Sequence, residues 1–431
     1  MNRKPSGARL PLLAFIGPGL MLAATGVGAG DLAGGAFAGM NLGVAVLWAI
    51  VLGALFKYVI TEGLARWQIA TETTLLEGAV LRLGPAIRWG FLVYLLLWSF
   101  VVGTALIGAC GVAMHALFPI FEEASSAKIV FGTLHSLLGL ALVWLGTFRF
   151  LERIMAVLVS VMIVIVLATG AFVGAEWGAV LRGLTIPKIP DHPEGIAWTL
   201  ALMGGVGGTL TVLCYGYWIR EKNRSGAEDL RLCRWDIAIA YFLMALFGIA
   251  MVILSDGLQL SGRGATLVVD LAHRIGEKTH PSVEMLFLIG AWSAVFSSLL
   301  GVWQAVPYLF ADFWHLQTHR KSLSPLQFTP YRVDTRGKSY RGYLLALALV
   351  PLSGLGYDFQ LVQKAYSVFG ALVMPLVALT LLLLNGREAW VGKSYRNRWW
   401  TSLALVIILG FFAWIGLPKL LETFGLQFQL N

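Results

Sequence analysis

The chain is 431 residues long, 58% hydrophobic and only 13% charged, with a formal net charge of +9. A soluble domain carries roughly a quarter charged residues, so this composition excludes one and describes an all-α polytopic membrane protein. The apolar segments are long continuous runs, which fit helices better than the short alternating strands of a β-barrel, and Cys110, Cys214 and Cys233 lack the paired spacing of a disulfide framework or a zinc site.

Eleven spans are predicted, near residues 11–38, 44–65, 90–118, 128–148, 153–175, 195–218, 236–255, 283–311, 342–356, 361–384 and 400–418. The opening Asn2-Arg3-Lys4 and its apolar run have the outline of a signal peptide. The run has no convincing small-residue cleavage site, however, and further spans follow throughout. The first span is the unusual one: Gly26, Gly28 and Gly30 alternate before a carboxylate, Asp31. Backbone that leaves the helix inside a bilayer needs other partners, and an ionisable side chain there is costly. Both at one depth predict a broken helix that builds a site. In the second span Lys57 and Glu62 lie near the inner end, where snorkelling or mutual pairing is expected. The next three spans hold almost no internal acid or histidine, with His115 close to an outer end, so no proton relay is expected.

The sixth span repeats the peculiarity of the first. Between Trp198 and Gly216 it carries Gly204, Gly205, Gly207 and Gly208, then Thr209, Thr211, Cys214 and Tyr215. Gly26-Val27-Gly28 and Gly205-Val206-Gly207 share their letters. Five spans separate the two copies, and an odd separation makes the second run in the opposite direction. A matched pair of glycine-interrupted spans in two inverted halves points to a transporter's midplane site. The competing reading is close helix packing through small residues. The break is assigned to Gly26, Gly30, Gly205, Gly207, Gly208 and Gly216.

Asp31 has two compatible readings. It caps a second half-helix, Leu32–Gly39, by accepting from its orphan N–H groups. It also serves as the charged ligand of a hard cation, helped by backbone carbonyls around Gly28 and Thr211. Thr209 and Thr211 are weak candidates singly, because membrane threonines usually bond back to their own helix. Cys214 is the one soft donor at the break. Gln304 and Gln363 offer amide oxygens without the cost of a charge, and Lys364 also lies at membrane depth.

Lysine and arginine alternate in density between loops. With the N-terminus cytoplasmic, 23 fall on the inner side and seven on the outer, leaving Lys57 and Lys364. That bias places the C-terminus outside, across the cell (inner) membrane, and accounts for the basic charge without a nucleic-acid partner. No protein partner or cofactor is implied. No Walker A, HExxH or GxSxG motif stands in a plausible context, so neither an ATP-driven pump nor an enzyme is expected.

Gly17-Pro18-Gly19 before a broken first helix resembles the Nramp family of divalent-metal transporters. So do Leu47-Trp48 through Leu64-Ala65-Arg66, Ile69-Ala70-Thr71, Leu75-Leu76-Glu77, Asn385-Gly386-Arg387-Glu388 and Trp399-Trp400. The resemblance covers nearly the whole chain. It implies a LeuT-like fold: two inverted five-helix repeats, about 11–175 and 195–384, plus an eleventh helix at about 400–418. It also implies an ion site between helices one and six. The chain departs from the family at that site. Where the family has Asp-Pro-Gly-Asn, this sequence reads Gly28-Ala29-Gly30-Asp31; where it has Met-Pro-His, this one reads Val212-Leu213-Cys214. The family's helix-ten glutamine has no clean match, with Phe369 near it and Gln363 about two turns earlier. Glycine at 28 is expected to widen the pocket, and loss of the thioether to remove a preference for softer metals unless Cys214 supplies it. These changes resemble those of the Nramp-related magnesium transporters. The expected function is alternating-access movement of a divalent cation of the Mn, Fe or Mg class. The alternatives are a carrier of a small organic solute such as an amino acid, or a non-transporting receptor on the same fold.

Overall fold

The computed structural model describes residues 17–172, 176–205, 207–259, 264–319 and 331–416. Among these, each of the eleven expected spans has a helical counterpart. Span one comprises Gly17–Gly26, a π turn Gly30–Gly34 and Gly35–Leu42; span two is Leu47–Thr71. Spans three, four and five are Ile87–Leu117, Ala124–Leu145 and Phe148–Phe172. Span six is Gly195–Gly205 and Cys214–Glu221, span seven Ala227–Ser255 and span eight Pro281–Thr318. Span nine is Lys338–Leu349 with a 3-10 turn Val350–Gly354, span ten Phe359–Asn385, and span eleven Trp399–Phe411 with a π turn Phe412–Gly416. Residues 11–16, 173–175, 206 and 417–418 of the expected spans lie outside the described residues, as do Arg3, Lys4, Arg9, Arg320 and Lys321 of the inner basic set and Arg263 and Lys419 of the outer one.

Polarity does not orient these helices, because lipid is as apolar as the core. Burial does. In span five Leu151, Met155, Val159, Met162 and Val166 recur every three or four residues and are buried, while Phe150, Val157 and Val164 on the other side are exposed. Span seven begins nine residues before the expected 236, because Glu228, Asp229, Arg231 and Arg234 extend the helix beyond its apolar part. A short helix, Leu75–Leu83, follows span two. Its start is a capping box in which Thr74 Oγ1 accepts from Glu77 N at 3.1 Å and Thr74 N donates to Glu77 Oε2 at 2.6 Å.

The packing pattern repeats between the halves. Span one packs on five and seven, and span six on ten and two. Span five packs on eight, and span ten on three. Adding five to each first-half number and subtracting five from each second-half number converts one set of contacts into the other, as two repeats related by a pseudo-two-fold axis require. The axis brings the two interrupted helices together, with contacts between the π turn of span one and Gly195–Gly205.

Candidate functional site

Span one leaves the regular helix over only a few residues. Val27 N still donates to Ala23 O at 2.8 Å, and Leu32 N donates to Gly28 O at 2.8 Å across the start of the π turn. The break at the alternating glycines is therefore tight, with the chain returning to helical bonding at Leu32. Carbonyls near the end of the first half-helix are met by span eight: Ser297 Oγ donates to Ala24 O at 3.2 Å and Ser298 Oγ to Thr25 O at 2.8 Å. Ser298 also fills the place beside Gly28. A Cβ added at Gly28 would fall on Ser298 Cβ and Oγ, so glycine here admits a neighbouring side chain and does not widen a pocket. Gly28→Ala is expected to lower stability by about 1–3 kcal/mol through overpacking. Adding Ser298→Gly should restore part of the loss, and thermal unfolding of the purified single and double variants measures both.

Span six breaks more sharply. Its first half ends at Gly205; Gly207 and Gly208 have φ of +81° and +85°, and Thr209 stands at φ −123°, ψ −114°. Two consecutive left-handed positions suit glycine alone. Gly216 lies elsewhere, inside the second half-helix, where a Cβ would press on Gln68 Oε1 and Leu64 Cδ2 at 3.3 Å each. Its absent side chain serves packing on span two. Gly30 permits the crossing of the two breaks, since a Cβ there would sit 2.9 Å from Gly205 O and 3.0 Å from Tyr366.

Asp31 joins the two breaks. Its carboxylate is fully buried and accepts from Gly28 N at 3.3 Å and from Gly207 N at 3.2 Å. The expected cap on Leu32–Gly39 takes a different form: the bond runs back three residues, and the second donor comes from the opposite helix. Thr209 Oγ1 accepts from Trp98 Nε1 at 3.0 Å, and Thr211 is buried beside Gly208. Thr25 Oγ1 and Ser367 Oγ are buried near the breaks without a hydrogen-bond partner among the described residues. Cys214 Sγ donates to Ala305 O on span eight at 3.5 Å, and Gln363 Nε2 donates to Ala105 O on span three at 2.9 Å. The structure thus gathers Asp31, Gly28, Gly30, Gly205, Gly207, Gly208 and Thr209. Cys214 turns to span eight, and Gln363 donates its N–H to span three while its Oε1 stays buried without a hydrogen-bond partner among the described residues. Among the described residues no three His, Cys, Asp or Glu side chains are grouped to hold a metal ion.

Several participants were not expected. Lys57 does not snorkel: it is fully buried and donates to Gly204 O at 2.9 Å. Its neighbour Gly53 allows this, because a Cβ there would meet Met203 O at 2.9 Å, so spans two and six pass at close range. Glu62 pairs instead with Arg66 and Arg234, at 3.2 and 2.8 Å. Tyr366 and Ser367 approach the breaks from span ten. The spacing Gln363, Tyr366 or Ser367, Gly370 is a polar, small-residue helical face, and that signal was available in the sequence. Gln304 Oε1 is occupied by Trp218 Nε1 at 3.1 Å.

A second buried cluster fastens one end of span six. Arg220 makes a two-pronged pair with Glu77, at 2.7 and 3.2 Å, and also donates to Tyr331 O. Asp312 on span eight accepts from Thr74 Oγ1 at 2.7 Å and from Tyr217 OH at 2.6 Å. At the opposite end of span six Lys364 pairs with Glu194, which also accepts from Trp198 Nε1 at 3.1 Å. The bond from Lys364 holds the Glu194 carboxyl below the usual carboxylate range. A cavity of about 590 Å³ opens beside Glu221, lined by Leu151, Gln304, Tyr308 and Tyr340 among others.

The family described as natural resistance-associated macrophage protein-like matches residues 19–422. The chain is 24% identical over 406 residues to the divalent metal cation transporter MntH of Mycobacterium tuberculosis, covering 91% of this chain and 88% of that one. Its structure resembles a mutant form of the Eremococcus coleocola manganese transporter with a TM-score of 0.71 at 19% identity, over 98% of this chain and 90% of the other. It also resembles MhsT in complex with L-phenylalanine, with a TM-score of 0.66 at 17% identity, over 98% of this chain and all of the other (100%). At these identities the two structural likenesses establish a LeuT-like fold.

Proposed function

The chain belongs to the Nramp family and is an integral membrane protein, and from that premise we propose that it transports divalent metal cations by alternating access. The observation that carries this reading is the Asp31 carboxylate joined to both Gly28 N and Gly207 N, where the two broken helices cross. A single carboxylate with backbone and hydroxyl oxygens suits a hard, partly hydrated cation of the Mn, Fe or Mg class better than a thiophilic one. Asp31 is sealed from solvent in this conformation. To admit a cation it must release Gly207, which lets span six move relative to span one. The inverted repeats, about 11–175 and 195–384, supply the two bodies that rock. The extra helix packs on span ten. With the N-terminus cytoplasmic and the C-terminus outside, the basic loops fall on the inner face.

Uptake into proteoliposomes tests the reading. Purified protein should admit Mn2+, Fe2+ or Mg2+ down a gradient faster than empty vesicles do, without ATP. Lack of uptake for every divalent ion, with uptake of an amino acid, would move the assignment to an organic-solute carrier. Lack of both would favour a receptor.

A further inference from the structure

The helix that ends at Gly205 presents its last carbonyls at a negative dipole end. In broken-helix transporters such an end, with a nearby carboxylate, is where a coupling cation binds. Here Lys57 Nζ already lies there, 2.9 Å from Gly204 O and buried with its whole side chain. Asp31 contacts the same turn three residues on, through Gly207 N at 3.2 Å, so the carboxylate and the ammonium both reach the break in span six. An ammonium buried at membrane depth is expensive, so its placement calls for a function. The approach is built in by Gly53, whose missing side chain lets span two close on Met203.

We propose that Lys57 is a tethered cation seated in the cation position between the two breaks, and that it sets the specificity of the site. The proposal rests on the assignment of Asp31 as cation ligand. A divalent ion approaching Asp31 meets a fixed positive charge in low dielectric, and like charges at close range oppose one another strongly there. The ion must displace the ammonium from Gly204 O before it gains both the carboxylate and the carbonyl. The site therefore rejects weakly bound ions and admits those whose gain exceeds that opposition.

Calorimetry with Mn2+ on the purified full chain tests this. Lys57→Gln removes the charge and keeps an N–H donor one bond closer to the backbone, and Lys57→Met removes both charge and donor. Each should bind Mn2+ at least about tenfold more tightly than the wild type. The gain should vanish in Asp31→Asn/Lys57→Gln, and Lys57→Arg should bind like the wild type. Unchanged or weaker binding in a Lys57→Gln variant that unfolds at the wild-type temperature overturns the proposal, leaving Lys57 a structural cap. So does tighter binding in Lys57→Arg. Wild-type uptake assays separate this from the transport assignment. Wild-type Mn2+ uptake with no gain in Lys57→Gln defeats the tethered cation alone. No wild-type uptake with a gain in Lys57→Gln defeats the transport assignment alone.

Discussion

Asp31→Asn should reduce the initial rate of divalent-cation uptake at least about hundredfold while leaving the protein folded. The amide keeps the size of the carboxyl and one oxygen that can accept from Gly28 or Gly207, but it loses the charge that a cation needs inside a bilayer. Asp31→Ala should do more. It deletes the acceptor for two buried N–H groups, and bonds to a charged partner are worth about 1.5–3 kcal/mol each, so stability should fall by about 3–6 kcal/mol. The contrast separates the two roles of the side chain. Uptake lost in both variants, with stability lost only in Ala, means that Asp31 is ligand and clip together. Wild-type uptake by Asp31→Asn would remove it from the ion path. Metal calorimetry and thermal unfolding on the same preparations decide between these outcomes.

Arg220→Met should be the most destabilising single change away from the breaks. Arg220 bridges the end of span six to Glu77, which is fully buried, and to Tyr331 O. Removing the guanidinium leaves Glu77 uncompensated near a second buried acid, Asp312. Breaking one partner of a buried pair costs about 3–5 kcal/mol. The double variant Glu77→Gln/Arg220→Met should recover part of this, because no charge is then stranded. The unfolding temperature of the wild type, both single variants and the double variant completes a mutant cycle. An unshifted temperature in Arg220→Met would show that the pair contributes little to stability.

The fold was largely legible in the sequence because the bilayer allows few solutions. Apolar runs of the required length and two glycine clusters five spans apart pointed to an all-α chain with two inverted halves, and the resemblance to the Nramp family implied the LeuT-like arrangement. The site was legible in part. Asp31 and the glycines at 207 and 208 stood out because buried charge and left-handed backbone leave few residue choices, and Gly28 stood out in the alternating run before Asp31. Lys57 was read by its place near a helix end, and snorkelling is the usual result there. Only the close crossing at Gly53 and Met203 turns its side chain inward, and a contact between spans 150 residues apart leaves no local trace. Ser298 was missed for the same reason. Tyr366 and Ser367 were within reach, since their spacing with Gly370 marks a face of span ten. The capping box at Thr74 and Glu77 was not read, although its Thr-x-x-Glu spacing was there to be seen; it starts the short helix that delivers Glu77 to Arg220.

Gly28 and Ser298 occupy one place between them, and this bears on how such a site changes over time. A larger residue cannot return at 28 while serine stands at 298. Trimming Ser298 first uncaps the Thr25 carbonyl. Either order of substitution passes through a weakened chain, so the pair behaves as a ratchet: easily kept, hard to reverse one step at a time. Relatives that carry a bulky residue at the first position should therefore carry a smaller one at the second. The two columns of an alignment should then vary together, although the positions are 270 residues apart in the chain.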